Sequence, residues 1–402
     1  RFKVFSVAYL RHWLVDKLME LSLDILSPLY ATIYLNPWYR LLGVQLGARA
    51  EVSTAGSIGF DVLRIGEESF VADGVGLGVP RVHGGEFEIA ATTVGRRAFL
   101  GNSAVLPAGA EIGDGVLIGV LSVPPRRRED ALRAESSWFG TPAVFLPQRQ
   151  TATQFDEGST FRPPLHLKVQ RALIELVRVI LPMTCMIALT SCLMSLVVTL
   201  EDEHDWTIAG LVAAFPLFYL AYGLLAALFV LVLKWVVIGR YRPVEKPLWN
   251  RYVWRSELVT ATYENLAVPL FAGPLAGTPF LAVYLRLLGA HIGRRVYLDT
   301  TDVTEFDVVT IGDDAALNSD CGPQTHLFED RVMKISTVDI GARCTVGGGS
   351  IVLYDAKMEP DSALGELSLL MKGETLPAGT HWEGSPARPV AQQHAQPAVT
   401  PC

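Results

Sequence analysis

The sequence predicts a mainly β protein with membrane helices: two tandem parallel β-helices joined by a transmembrane helical hairpin. Three observations predict it, namely an internal duplication, a six-residue aliphatic period in each copy, and two long apolar stretches between the copies. Residues 38–122 and 284–368 align without a gap at an offset of 246. Leu41-Leu42-Gly43 falls on Leu287-Leu288-Gly289, and Asp61-Val62-Leu63-Arg64-Ile65-Gly66 on Asp307-Val308-Val309-Thr310-Ile311-Gly312. Trp138-Phe139-Gly140-Thr141-Pro142-Ala143 returns as Trp382-Glu383-Gly384-Ser385-Pro386-Ala387, at an offset of 244. A repeat of this size means two related domains, with the intervening stretch belonging to neither.

The period fixes the kind of domain. In the first copy Val94, Leu100, Leu106, Ile112 and Ile118 are spaced by six, and Gly95, Gly101, Gly113 and Gly119 follow four of them. Ile65, Val71 and Leu77 keep the rule upstream. The second copy runs Ile311, Leu317, Pro323, then Ile340, Val346, Val352, Met358 and Leu364, with Gly341, Gly347 and Gly365. A helix repeats every 3.6 residues and a simple strand every two. A period of six fits a parallel β-helix in which each hexapeptide forms one flat side of a coil and its aliphatic points inward. The glycines are expected at corners, where positive φ is often needed.

The elements follow in order. Residues 1–37 form a helical, interfacial lead-in, 38–150 the first β-helix domain, and 151–173 a linker. The hairpin occupies 174–240, a second lead-in 241–283, the second β-helix domain 284–390, and a disordered tail 391–402. Residues 174–200 and 208–233 are long enough for the ~30 Å bilayer core, which needs about 20 apolar residues per helix. The acidic run Glu201-Asp202-Glu203-His204-Asp205 separates them. Arg162, Lys168 and Arg171 precede the hairpin, and Lys234, Arg240, Arg242 and Lys246 follow it. The excess of Lys and Arg places both β-helix domains on the cytoplasmic side of an integral membrane protein, with the plasma membrane as the expected location. The proline-broken stretches 18–39 and 257–288 share Pro28-Leu29-Tyr30-Ala31 and Pro269-Leu270-Phe271-Ala272, and read as interfacial or re-entrant. The Pro- and Arg-rich stretch 123–165 reads as a loose connection. The chain starts at Arg1 without a signal-peptide pattern and reads as a piece of something longer.

Composition excludes some classes. A net charge of −7 argues against nucleic acid as a partner. The five cysteines have no metal-ligand spacing, so no metal site is expected, and their odd number suits reduced thiols.

Chemistry is expected where the period breaks. Gly66 to Gly95 and Gly312 to Gly341 each span 29 residues, which six does not divide, so a loop leaves the coil in each copy. In copy two the loop carries Asp320, Cys321, Gln324, Thr325, His326, Glu329, Asp330 and Arg331. His326 is the candidate general base, because an imidazole titrates near neutrality and suits acyl transfer to an amine or hydroxyl. Asp320, Glu329 or Asp330 would orient its ring. Gln324, Thr325 or a backbone amide would stabilise the oxyanion, with Arg331 among the substrate contacts. Cys321 offers a rival route through a covalent acyl intermediate. Copy one has Pro80 opposite His326, and its own loop offers Asp73, Arg81 and His83 as substrate-binding candidates. Reduced or altered function is expected there.

The six-residue period resembles that of hexapeptide-repeat acyltransferases, and this resemblance implies left-handed coils and, usually, trimers with active sites between neighbouring β-helices. Tandem copies within one chain would then replace some neighbours, leaving a homo-oligomer open. The run from Gln324 through Lys334, set in two such domains around a membrane hairpin, is more specific: it resembles the C-terminal region of ε-poly-lysine-synthetase-type nonribosomal peptide synthetases. That resemblance covers residues 1 to 390. It implies an acyl(aminoacyl)transferase forming amide or isopeptide bonds, with no covalently bound cofactor. The donor would be a phosphopantetheine-carrier or CoA thioester, and the acceptor an amine. Adenylation and carrier domains would lie upstream in the same chain. The chain departs from the family's layout in having two tandem domains rather than three, and neither an adenylation signature nor a carrier serine motif.

Overall fold

The protein is described by a computed structural model that covers residues 1–53, 55–147, 154–204 and 206–390. The expected tail at 391–402 and the start of the expected linker lie outside the described residues. Helices α1 (Val7–Ile25) and α2 (Leu35–Leu41) precede the first set of sheets, and α3 (Arg128–Leu132) interrupts its end. Two long helices follow, α4 (Leu165–His204) and α5 (Ile208–Val237). Helices α6 (Arg251–Thr262) and α7 (Pro279–Leu288) then flank a π-helix at Tyr263–Ala272 and precede the second set.

Each set consists of three sheets whose coil strands run parallel, as a β-helix-type coil requires. In the first, Leu46, Ile65, Val94 and Ile112 are in register down one face. Val52, Val71, Leu100, Ile118 and Trp138 line the second face, and Leu77 pairs with Leu106 on the third. Successive residues on one face, such as Val94 and Ile112, are 18 apart, so three hexapeptides close one coil. The second set repeats the scheme. Ile292, Ile311, Ile340, Met358 and Leu376 form one column, and Leu298, Leu317, Val346, Leu364 and Trp382 another. Pro323, Val352 and Leu370 form the third. Nearly all of these residues are buried. Each contributes on the order of 1.5–3 kcal/mol of transfer free energy, and the columns form the core.

The repeat glycines have a different cause from the one expected. None of Gly66, Gly95, Gly101, Gly312 or Gly347 has positive φ. Instead, a Cβ at Gly66 would lie 2.5 Å from the backbone of Gly95, and one at Gly95 2.4 Å from that of Gly113. Stacked coils approach too closely there for any side chain. The left-handed residues come two positions later, on Glu68, Arg97, Ser103, Asp314 and Arg343.

Within the stretch 123–165, residues 137–146 are more regular than its composition suggests. Ser137–Phe139 adds a parallel strand to the second face, and Val144–Leu146 pairs back on it. Trp138 is buried, with its Nε1 donating to Ser136 Oγ at 2.9 Å.

The long helices are apolar enough to cross a membrane by length and composition. The first turns of α4 do something else. The Arg171 guanidinium grips Glu51 at 2.9 and 3.0 Å and Glu175 at 2.6 Å, all three largely buried. Arg178 reaches Glu257 on α6 and the carbonyls of Tyr30 and Ala31. Arg171 therefore does not count toward the positive charge that flanks the hairpin, because its countercharges neutralise it inside the fold. Burial pushes the Glu257 carboxyl up to about 7 despite Arg178 and Arg171. Along α5, Gly223 is required by contact: a Cβ would meet the Leu270 carbonyl at 2.4 Å, beside the turn that Pro269 widens into a π-helix.

The chain divides into two compact units. One comprises 1–238, 245–271 and 328–334; the other comprises 239–244, 272–327 and 335–402.

Candidate active site

The 29-residue intervals resolve into one 18-residue coil plus an excursion that forms an antiparallel hairpin. In copy one the hairpin pairs Arg81–His83 with Glu86–Glu88; in copy two it pairs His326–Glu329 with Val332–Ile335. Both hairpins gain a third strand on their second arm, from Phe2–Lys3 in one and Val244–Pro247 in the other.

His326 opens its hairpin, where the chain leaves the coil. Its Nδ1 lies 2.8 Å from Glu305 Oε2, and Glu305 is 1% exposed. Glu305 follows the coil strand at Tyr297–Leu298, at the N-cap of a short 3₁₀ turn (Phe306–Val308) that faces the hairpin's base. Its Oε2 also accepts from Thr304 Oγ1 at 2.8 Å and from Thr325 Oγ1, and the two hydroxyls are 3.3 Å apart. Burial alone would raise the Glu305 carboxyl. The charge and hydrogen bond of His326, with the hydrogen bonds of Thr325 and Thr304, outweigh it and hold the group below its ordinary range. An ionised carboxylate only accepts, so the Nδ1 that faces Glu305 carries a ring proton. With one-fifth of its side chain exposed, the ring is held yet reachable.

The expected orienters sit elsewhere. Glu329 pairs with Lys334 at 2.9 Å, and Asp330 forms the hairpin tip with φ +49°. Asp320 lines a cleft of about 320 Å³ with Asp299, Asp302, Thr300 and Thr301. The carboxylate on the ring is Glu305, which sequence reading missed. Its signal was present: position 305 matches Gly59 in copy one, just as 326 matches Pro80. Both ionisable partners arise where otherwise similar copies disagree.

Among the proposed substrate contacts, the Thr325 hydroxyl is committed to Glu305, and Gln324 Nε2 donates to the His326 carbonyl at 3.0 Å. Arg331 is 1% exposed, and its Nη2 donates to the carbonyls of Arg49 and Ser69. Phe328 stacks on Phe70 with ring centroids 5.4 Å apart. Arg331 and Phe328 thus act as packing anchors on the first coil's corners. Arg81 and His83 are exposed on the copy-one hairpin, and Asp73 is exposed at a corner. Cys321 is fully buried, and burial together with Asp302 pushes its thiol up to about 12. A buried thiol that stays protonated is a poor nucleophile, which counts against the covalent route.

No protein-family model matches the chain. It is 44% identical over 388 residues to the δ-poly-L-ornithine synthetase of Acinetobacter baumannii (strain AB307-0294). The match covers 96% of this chain and 29% of that protein, so the chain spans under a third of its relative's length. Similar solved structures include a hexapeptide-repeat acetyltransferase of Vibrio cholerae (16% identity, 31% of this chain and 89% of that one, TM-score 0.25). A soybean serine acetyltransferase bound to serine has 16% identity over 48% of this chain and 65% of that one, TM-score 0.25. An N-acyltransferase of Bacillus cereus in complex with a dTDP-amino sugar and coenzyme A has 17% identity over 25% and 59%, TM-score 0.20. At these scores the likenesses add nothing to the sheet registers above.

Proposed function

We propose that the chain is a membrane-anchored acyl(aminoacyl)transferase segment of a nonribosomal peptide synthetase, made of tandem left-handed β-helices and forming amide or isopeptide bonds from a thioester. The observation that carries this reading is the buried Glu305 carboxylate fixed on His326 Nδ1. In the reaction, the acceptor's neutral amine attacks the thioester carbonyl carbon, and a C–N bond forms while His326 Nε2 takes the amine proton. The tetrahedral intermediate then collapses, the C–S bond breaks, and the imidazolium returns the proton to the departing thiolate. The donor is a thioester on phosphopantetheine, supplied by adenylation and carrier domains, or a diffusible CoA thioester. The relative's name makes ornithine the reference acceptor. An ammonium on an alkyl chain suits the cleft bearing Asp299, Asp302 and Asp320. Membrane insertion of α4 and α5, with both β-helices on the cytoplasmic side, completes the reading.

The test is His326→Gln in the full-length protein, with amide product scored by mass spectrometry and amino-acid activation assayed in parallel. A loss on the order of 10²–10⁴-fold with activation intact is expected. Unchanged product would leave the coils as a docking or export platform instead.

A further inference from the structure

Copy one has lost the dyad but not the space around it. At the offset of 246, Glu305, Gln324 and His326 match Gly59, Gly78 and Pro80. These three residues line a cleft of about 380 Å³, closed on its other side by α1. What α1 brings to that cleft is His12 and Asp16, one helical turn apart on the same face. His12 Nε2 lies 3.2 Å from Asp16 Oδ2, off the line of a straight hydrogen bond. Unliganded acid–base pairs often show such geometry and tighten when substrate binds.

The helix is held there by parts of copy one that have no other evident use. Phe2–Lys3 adds a strand to the copy-one hairpin, and Phe87 of that hairpin packs against Phe2, Tyr9 and His12, with the His12 and Phe87 ring centroids 4.8 Å apart. The excursion that in copy two carries His326 thus serves in copy one to seat a helix bearing a histidine. The second lead-in offers no substitute. At the offset of 241 set by Pro28 and Pro269, Val253 stands where His12 does.

We propose that this cleft is a second acyl-acceptor site, in which His12, oriented by Asp16, takes the proton from an amine attacking a thioester. The inference rests on the reading of His326 given above and extends the same chemistry to copy one. Atoms balance as they do there: the C–N bond forms as the proton moves to the imidazole, then the C–S bond breaks and the thiolate is reprotonated. The wall formed by Val15, Met19, Phe60 and Ile89 suits the alkyl stem of such an acceptor, and Asp61 at the rim suits an ammonium. Burial raises the Asp16 carboxyl even against the pull of His12, as expected for a pair drawn partly out of water.

The test uses the full-length protein with ornithine and ATP, following the rate of amide formation by mass spectrometry. Variants are His12→Gln, Val15→Trp (which fills the cleft from an exposed helix position) and each combined with His326→Gln. A fall of about tenfold or more for His12→Gln and Val15→Trp is expected, with unchanged melting temperature and amino-acid activation. Rates within twofold of the parent for both, in both backgrounds, would overturn the proposal. If His12→Gln alone disturbs folding, Val15→Trp decides. A rate unaffected by His326→Gln but lost with His12→Gln would instead sink the copy-two reading and leave this one standing.

Discussion

In copy two, Thr304, Glu305, Thr325 and His326 form one hydrogen-bonded group around a buried carboxylate. The matching positions in copy one are Ile58, Gly59, Val79 and Pro80, none of which ionises. The columns beneath them hardly differ: Ile65, Val94 and Ile112 stack in one copy as Ile311, Ile340 and Met358 do in the other. Stacking constrains the inward position of every hexapeptide, because each side chain touches its equivalents above and below. The hairpin base carries no such constraint and is free to gain or lose a reactive pair. Copy one uses the freedom differently, tying its hairpin to α1, whereas the copy-two hairpin carries the imidazole.

The largest expected effect tests the dyad itself. Glu305→Gln keeps the shape and an acceptor oxygen but removes the charge that stabilises the imidazolium. Product formation should fall on the order of 10²–10⁴-fold, as removal of a charged orienter does elsewhere. The same substitution should change acid stability. The folded Glu305 sits below the ordinary glutamate range, so its contribution is present above that range and lost as pH falls through the folded value. Melting temperature between pH 7 and 3 should therefore decline less steeply in Glu305→Gln than in the parent. Identical pH slopes would show that the carboxylate gains nothing from its partners.

The coil was legible in the sequence because one physical rule repeats: an inward aliphatic every six residues leaves a trace at Val94, Leu100 and Leu106 that no helix or sandwich shares. The excursion was legible from arithmetic on glycines. Glu305 is legible only from its mismatch with Gly59 in copy one, because its neighbours Phe306 and Asp307 belong to the shared repeat and its partner lies 21 residues away. Nothing local marks a carboxylate that will be buried. Arg331 was misread for a related reason, since a charged residue in a polar loop ordinarily faces water, and only tertiary packing brings it onto the Arg49 and Ser69 carbonyls.

Where the copies agree, equal changes should cost the same. Gly66→Ala and Gly312→Ala each place a Cβ 2.5 Å from the next coil's backbone. Overpacking of this kind costs about 1–3 kcal/mol. Chemical denaturation should show losses for the two variants that match within experimental error. A large cost in one copy only would mean that the coils tolerate strain differently, and the shared scaffold would no longer explain the shared glycines.

The smallest effects come from a corner ladder that both copies possess and only one buries. In copy one, Glu68 is 5% exposed and meets Arg49 at 2.8 Å, Arg97 at 2.7 Å and Arg162 at 3.2 Å. Burial opposes its charge, but hydrogen bonds from Arg97, Arg49 and Arg162 prevail and bring the carboxyl down to about 2. Its contribution, on the order of 2 kcal/mol after allowance for the solvent around Arg97 and Arg162, holds above pH 4.5 and is lost as pH falls toward 2. Asp314 occupies the matching corner of copy two and pairs with Arg295 at 2.6 Å, but in open solvent. Water and salt screen that pair, so Asp314→Asn should leave the denaturation midpoint unchanged while Glu68→Gln lowers it. Raising the salt concentration should leave most of the Glu68 effect in place, because three guanidinium groups surround a carboxylate that water barely reaches. Equal, salt-sensitive effects at the two corners would place Glu68 in solvent as well, and the burial that separates the two ladders would have to be given up.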